Sequence, residues 1–180
     1  MKLVGISGSL AGSKTSSIVY EVLAAAKSIN SDLQTELLDL KEYSVEFVTG
    51  APLTYYNEDT IKVVNTILSA DFLVFGSPIY QSSISGALKN LIDHLPVDAF
   101  KSKVTGMITT GGSEKHFLVA EHHLKPILTY LKGTVPVGNV FVHDKFFDEE
   151  NEIEDIYLKR RINHLAEEMI FLQTALASRY

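Results

Sequence analysis

The sequence predicts an α/β protein on a doubly wound parallel sheet of five strands, order 2-1-3-4-5, with helices on both faces. Three observations carry that prediction. Short apolar runs alternate along the chain with amphipathic stretches of helical period. The run from Phe72 to Phe75 is apolar without alternation, the mark of a strand covered on both sides. Three loops rich in glycine and hydroxyl residues follow the first, third and fourth predicted strands. In this strand order the carboxyl ends of those three strands lie side by side, where ligands bind.

The elements follow in order. Leu3, Val4 and Ile6 form the first strand, and the loop from Ser7 to Ser17 opens into a helix ending at Ile29 with Ile18, Val22, Leu23 and Ala26 on one face. Leu37, Leu38 and Leu40 mark the second strand. The irregular stretch from Tyr43 to Glu58 should lie over one end of the sheet. Ile61, Val64, Ile67 and Leu68 give the next helix its apolar stripe. Beyond the third strand, the loop from Ser77 to Ser83 leads to a helix carrying Leu88, Leu91, Ile92 and Leu95. Val104 to Thr109 is the fourth strand and opens into Thr110-Gly111-Gly112-Ser113. One helix is expected from about Glu114 to Leu131, a fifth strand from Val135 to Val142, and a last helix bearing Leu158, Ile162, Leu165, Met169, Leu172 and Leu176. No linker-like stretch divides the chain, so a single domain over residues 1–180 is expected.

Composition narrows the function. The chain has 180 residues, a formal net charge of -6 and no cysteine. The charge argues against general nucleic-acid binding and against a basic membrane-surface role. Without cysteine there are no disulfides, thiolate metal sites or cysteine nucleophiles. The N-terminus enters a strand directly, and no apolar run approaches a membrane span, so a cytoplasmic protein is expected. His122 and His123 are adjacent and point about 100° apart on a helix, so they cannot share a metal in the usual i, i+4 manner. No metal site is expected.

The first loop is the chemical core of the sequence. A strand opening through small residues into a helix presents unpaired amides and a partly positive helix end to an anion. Ser7, Ser9, Ser13, Thr15, Ser16 and Ser17 add hydroxyl donors. Lys14 adds a charge that serves either a phosphate or only the solvent. Neither common nucleotide fingerprint is present. Gly5, Gly8 and Gly12 do not make G-x-G-x-x-G, and Ser13-Lys14-Thr15 lacks the glycine of a P-loop. A hydroxyl-rich loop of this kind suits one terminal phosphate, hence a mononucleotide such as FMN. In the second loop Pro78 stiffens the turn, and the backbone from Pro78 to Gln81 can offer amides to a flat heterocycle. Tyr80 is either an aromatic wall or a half-buried loop residue. In the third loop Gly111 and Gly112 allow close approach of backbone to ligand.

Gly8-Ser9 with Lys14-Thr15-Ser16, then Gly76-Ser77-Pro78-Ile79-Tyr80 running into Ser85-Gly86-Ala87-Leu88-Lys89-Asn90, resembles the flavodoxin-like NAD(P)H-dependent FMN reductases. Thr109 to Ser113, with Leu124-Lys125-Pro126-Ile127-Leu128, is most similar to the branch serving two-component alkanesulfonate monooxygenases. The resemblance implies a flavodoxin-like fold and FMN with NADPH or NADH as cofactors. It implies that Ser9, Lys14, Thr15 and Ser16 hold the FMN phosphate. Pro78, Ile79, Tyr80 and Gln81 would line the isoalloxazine, with Gly111, Gly112 and Ser113 at its other edge. No catalytic side chain is implied, since the flavin carries the hydride chemistry. Where the family often has Gly-Ser-Pro-Arg, this chain has Gly8-Ser9-Leu10-Ala11, and the nicotinamide preference stays open between NADPH and NADH.

Proline at 126 cannot donate to the carbonyl of residue 122, which a helix accommodates by an ordinary kink or by a π-type turn. The resemblance implies a π-helix here, at a tetramer interface, with His122 in the place of an aromatic residue. A homodimer or homotetramer, and a flavin-dependent monooxygenase as partner, follow from the same likeness. Two other activities fit these residues: an FMN-retaining quinone or azo reductase, and a non-enzymatic electron carrier.

Overall fold

The computed structural model describes residues 1–178. Its strands are β1 (Lys2–Ser7), β2 (Gln34–Asp39), β3 (Phe72–Tyr80), β4 (Ser83–Ile84), β5 (Thr105–Gly111) and β6 (Val140–His143). The α-helices are α1 (Lys14–Ile29), α2 (Glu58–Ser69), α3 (Gly86–Asp93), α4 (Lys125–Tyr130) and α5 (Ile156–Ala177). Five strands pair in parallel in the order β2-β1-β3-β5-β6, and β4 folds back antiparallel on β3. This is the predicted doubly wound order, with β4 as a short addition.

Alternation along the strands feeds two cores, because successive side chains leave a strand on opposite faces. Phe72 and Val74 join α1 and α5 through Ile18, Val19, Val22, Leu158, Ile162 and Leu165. Leu73 and Phe75 join α2, α3 and the 119–131 segment through Val63, Ile67, Leu88, Leu91, Leu124 and Leu128. Each fully buried side chain of this size contributes about 1.5–3 kcal/mol. α1 lies so close to the sheet that a Cβ on Gly76 would stand 2.3 Å from Val19 Cγ2. Any larger residue there would push α1 off the strands. Among the described residues, no helix is long and apolar enough to cross a membrane.

Three expectations need correction. The segment from Ser77 to Ser83 is not an open loop: β3 continues to Tyr80, Gln81 and Ser82 take φ of +48° and +59°, and β4 returns along β3. A two-residue connection of this kind needs positive φ at both positions to match the strand twist. The helix expected from Glu114 to Leu131 is broken into a short 3₁₀ turn (Glu114–His116), a π-helix (Ala120–Leu124) and α4. The strand expected from Val135 starts only at Val140. Pro136 has no N–H to give a ladder, and the amides of Val137 and Gly138 donate instead to the Glu168 carboxylate of α5, at 2.8 and 2.9 Å.

Candidate flavin site

The register sets the loops. Ser7 pairs with Gly76, Ser77 with Thr109, and Gly111 with His143, so four strands end along one line. Above them lies a cavity of about 430 Å³, within the usual range for small-ligand sites.

One wall is the loop from β1 to α1, contributed by Ser9, Ala11, Gly12, Ser13, Lys14 and Thr15. Gly12 takes φ of +69°, a conformation that permits the turn into the helix. Ser9 is buried and spends its hydroxyl on the loop, donating to the Ala11 carbonyl at 2.7 Å. Ser13 stands at the N-cap of α1 but makes no side-chain capping bond. Among the described residues the first amides of α1 therefore keep no side-chain acceptor, and the helix end presents them with its positive dipole. Thr15 Oγ1 lies 3.1 Å from Thr110 Oγ1, tying the first loop to the third. Lys14 Nζ is 3.5 Å from Asp144 Oδ1 and 5.5 Å from the centre of the Phe147 ring. Both partners of that ion pair are over a third exposed, so it is worth under about 1 kcal/mol and yields easily to a stronger anion.

The opposite wall is the β3–β4 hairpin, contributed by Pro78, Ile79 and Tyr80. Tyr80 is exposed and Ile79 buried. The hairpin is held to the first loop by a closed set of bonds. The Ser77 hydroxyl donates to the Pro78 carbonyl at 2.9 Å and accepts from the Ser85 amide at 3.0 Å. Ser85, the N-cap of α3, accepts from the Leu88 amide at 3.1 Å and donates to the Gly8 carbonyl at 2.5 Å. The Gly8 amide in turn donates to the Gly76 carbonyl at 2.8 Å.

The third wall is Thr110, Gly111 and Gly112 at the end of β5. His116 sets a buried Nδ1, without a hydrogen-bond partner among the described residues, 3.6 Å from where a Gly111 Cβ would stand. Glu114 ion-pairs with Lys145, which holds its carboxyl below the usual carboxylate range. The π-helix follows. The Lys125 amide reaches back five residues to the Ala120 carbonyl, a spacing that absorbs the donor missing at Pro126. His123 Nδ1 lies 3.0 Å from the Ser83 hydroxyl and braces the hairpin, while His122 is exposed. The π reading of Pro126, rather than the ordinary kink, describes the chain.

Of the residues singled out in the sequence, Ser9, Lys14, Thr15, Pro78, Ile79, Tyr80, Gly111 and Gly112 line this cavity together. Ser16 does not; its hydroxyl donates to the Ser13 carbonyl at 3.0 Å and the residue faces a neighbouring cavity. Gln81 sits at the hairpin turn, and the Ser113 hydroxyl accepts from the Lys115 amide at 3.3 Å. Sequence reading passed over Lys41, Asp144 and Asn151, which also line the cavity. Lys41 and Asp144 follow β2 and β6, so the rule that ligands sit at strand carboxyl ends was the available signal. Asp144 opens an acid-rich stretch with Asp148, Glu149 and Glu150, where its charge does not set it apart.

The donor set fits a phosphorylated flavin: uncapped helix amides with a lysine at one end, and two backbone walls with one aromatic at the other. The profile of the NADPH-dependent FMN reductases matches residues 1–148. An NAD(P)H-dependent FAD/FMN reductase of Geobacillus thermodenitrificans is 44% identical over 178 residues, covering 99% of this chain and 96% of that one. The FMN reductase (NADPH) of Escherichia coli K12 is 31% identical over 145 residues, 80% of this chain and 74% of its own. The apo structure of the NADH:FMN oxidoreductase EmoB superposes with a TM-score of 0.76 at 27% identity, covering 93% of this chain and 89% of that one. With its motifs, its fold and these relatives in agreement, the chain belongs to the NADPH-dependent FMN reductase family.

Proposed function

We propose that this chain binds FMN with the phosphate at the N-terminus of α1 and the ring between the β3–β4 hairpin and the end of β5, and releases it reduced to a flavin-dependent monooxygenase. The observation that carries the reading is the α1 N-terminus, uncapped and flanked by Lys14, opening into a cavity whose far walls are mostly backbone. FMN, when bound, supplies the hydride-accepting chemistry, with NAD(P)H as donor. The residues do the rest. Amides of 14–16 and the Thr15 hydroxyl hold the phosphate, with Ser9 shaping the loop and Ser16 fixing the first turn of the helix. Pro78, Ile79, Tyr80 and Gln81 set the plane and height of one wall, and Gly111, Gly112 and Ser113 bring amides to the other edge. Tyr80, 53% exposed, leaves one approach open for a nicotinamide and for exchange of the flavin.

Relatives named for NADPH and for NADH both occur, and the first loop carries no arginine. We therefore assign either nucleotide as donor. Phe117 and Leu118 are exposed just before the π-helix, which supports a homodimer or homotetramer meeting there. A cytoplasmic enzyme is proposed, because the donor nucleotide is a cytoplasmic reductant.

The test is anaerobic oxidation of NADH and NADPH by purified protein while FMN is raised from none to excess. A rate that rises with free FMN supports a reductase exporting reduced flavin. Turnover by bound FMN alone, and only with an added quinone or azo dye, would replace it with a flavin-retaining reductase.

A further inference from the structure

A second cavity, of about 390 Å³, opens beside the first, between α1, the end of β2 and the segment 151–153. Two residues line both spaces, Lys41 and Asn151, and of these only Lys41 is charged. We infer that Lys41 is a second cation of the FMN phosphate seat and gives the site a preference for a phosphorylated flavin. The role rests on the flavin reading of the first cavity.

Place, charge and anchorage point the same way. The second cavity is lined by Ser16, Ser17 and Tyr20 of α1 and, among the described residues, by none from the β3–β4 hairpin or the end of β5. Lys41, shared between the spaces, therefore meets the first cavity on its α1 side, where the phosphate is proposed to lie. The two spaces also differ in charge. Lys14 and Lys41 line the first, with Asp144 as its one carboxylate among the described residues. Glu21, Asp39, Glu42 and Glu152 line the second, against Lys41 alone. An anion in the joined space is drawn into the first cavity and repelled from the second, with Lys41 at the boundary. Anchorage separates the two lysines. The Lys41 ammonium is 3.0 Å from Asp39 Oδ2, and the Lys41 amide donates to Asp39 Oδ1 at 3.4 Å. The Asp39 side chain is 6% exposed, against 44% for the Asp144 partner of Lys14. Lys14 can leave its partner to water, whereas Lys41 cannot swing away without leaving a buried carboxylate unpaired. An ammonium has three donors, so the bond to Asp39 leaves two for phosphate oxygens. Of that pair only Lys41 lines the first cavity.

The experiment measures FMN and riboflavin affinity by quenching of flavin fluorescence, at low and high salt, for the unmodified protein, Lys41→Gln and Lys41→Arg. A double variant, Asp39→Asn with Lys41→Gln, removes both charges of the pair, so that no buried carboxylate is left alone if the single variant folds poorly. Lys41→Gln and the double variant are each expected to weaken FMN roughly tenfold at low salt, the usual loss for a hydrogen bond to a charged group, while riboflavin stays level. Lys41→Arg should restore FMN, and high salt should narrow the gap between Lys41→Gln and the unmodified protein. Equal losses for FMN and riboflavin, or no loss for either, would overturn the role of Lys41 and leave the reading of the first cavity standing. A rise in the KM for NADH or NADPH with FMN affinity unmoved would assign the lysine to the nicotinamide nucleotide and overturn it as well. If the unmodified protein binds riboflavin as tightly as FMN, the phosphate seat at α1 fails and this inference with it.

Discussion

Helices α1 and α3 begin beside each other, each just beyond a strand that ends at the same crevice, yet their N-termini are finished in opposite ways. Ser85 closes α3: its hydroxyl accepts from Leu88 and donates to Gly8. Ser13, at the same position of α1, makes no capping bond. A cap at such a position is worth about 1 kcal/mol, so leaving α1 without one gives up stability for exposed donors. The closed end fixes the walls; the open end is the one proposed above to take the FMN phosphate. If that distinction is right, substitutions at the α3 end should act on stability, and those at the α1 end on flavin affinity.

The largest effect is expected at the closed end. Ser85→Ala removes the cap and strips a donor from the buried Gly8 carbonyl, for a loss of about 2–3 kcal/mol and a drop in Tm of roughly 5–10 °C in thermal melts followed by circular dichroism. A Tm within a degree of the parent would show that the network between hairpin and loop contributes nothing. At the open end, Lys14→Ala should weaken FMN roughly tenfold, as for a hydrogen bond to a charged group, and leave riboflavin, which has no phosphate, unaffected. Quenching of flavin fluorescence reads both; equal losses would move the lysine away from the phosphate. Thr15→Val keeps the shape but removes a hydroxyl and its tie to Thr110. About a fivefold loss of FMN affinity is expected, from one hydrogen bond of about 1 kcal/mol. The smallest change runs the other way. Asp144→Asn frees Lys14 from its carboxylate and should tighten FMN about two- to threefold at low ionic strength, an advantage that fades in high salt. Weaker binding in that variant would mean that Asp144 positions the lysine instead of competing for it.

The corrected elements share a physical origin. The β3–β4 hairpin lacks the Asn-Gly or Asp-Gly signal, and Gln81 and Ser82 accept positive φ only because β3, β4 and Ser85 hold them there. The broken helix was half legible: Pro126 announced a missing donor, but the choice of a π turn depends on how Leu124 and Leu128 pack into the core below. The shortened last strand depends on Glu168, far along α5, which takes the amides that a longer strand would have paired.

By itself the sequence determined the period of most elements, the strand order and the places where the chain turns at the strand ends. Those follow from local patterns: apolar runs, helical spacing, and glycine and hydroxyl residues where backbone must turn. Only the tertiary structure decided which side chains share the cavity. Lys41, Asp144 and Asn151 reach it from segments about 100 residues apart, and no local pattern records a meeting arranged by parallel strand register. It also decided that α3 is capped and α1 is not, because the two serines are alike in sequence and differ only in what the fold sets beside them.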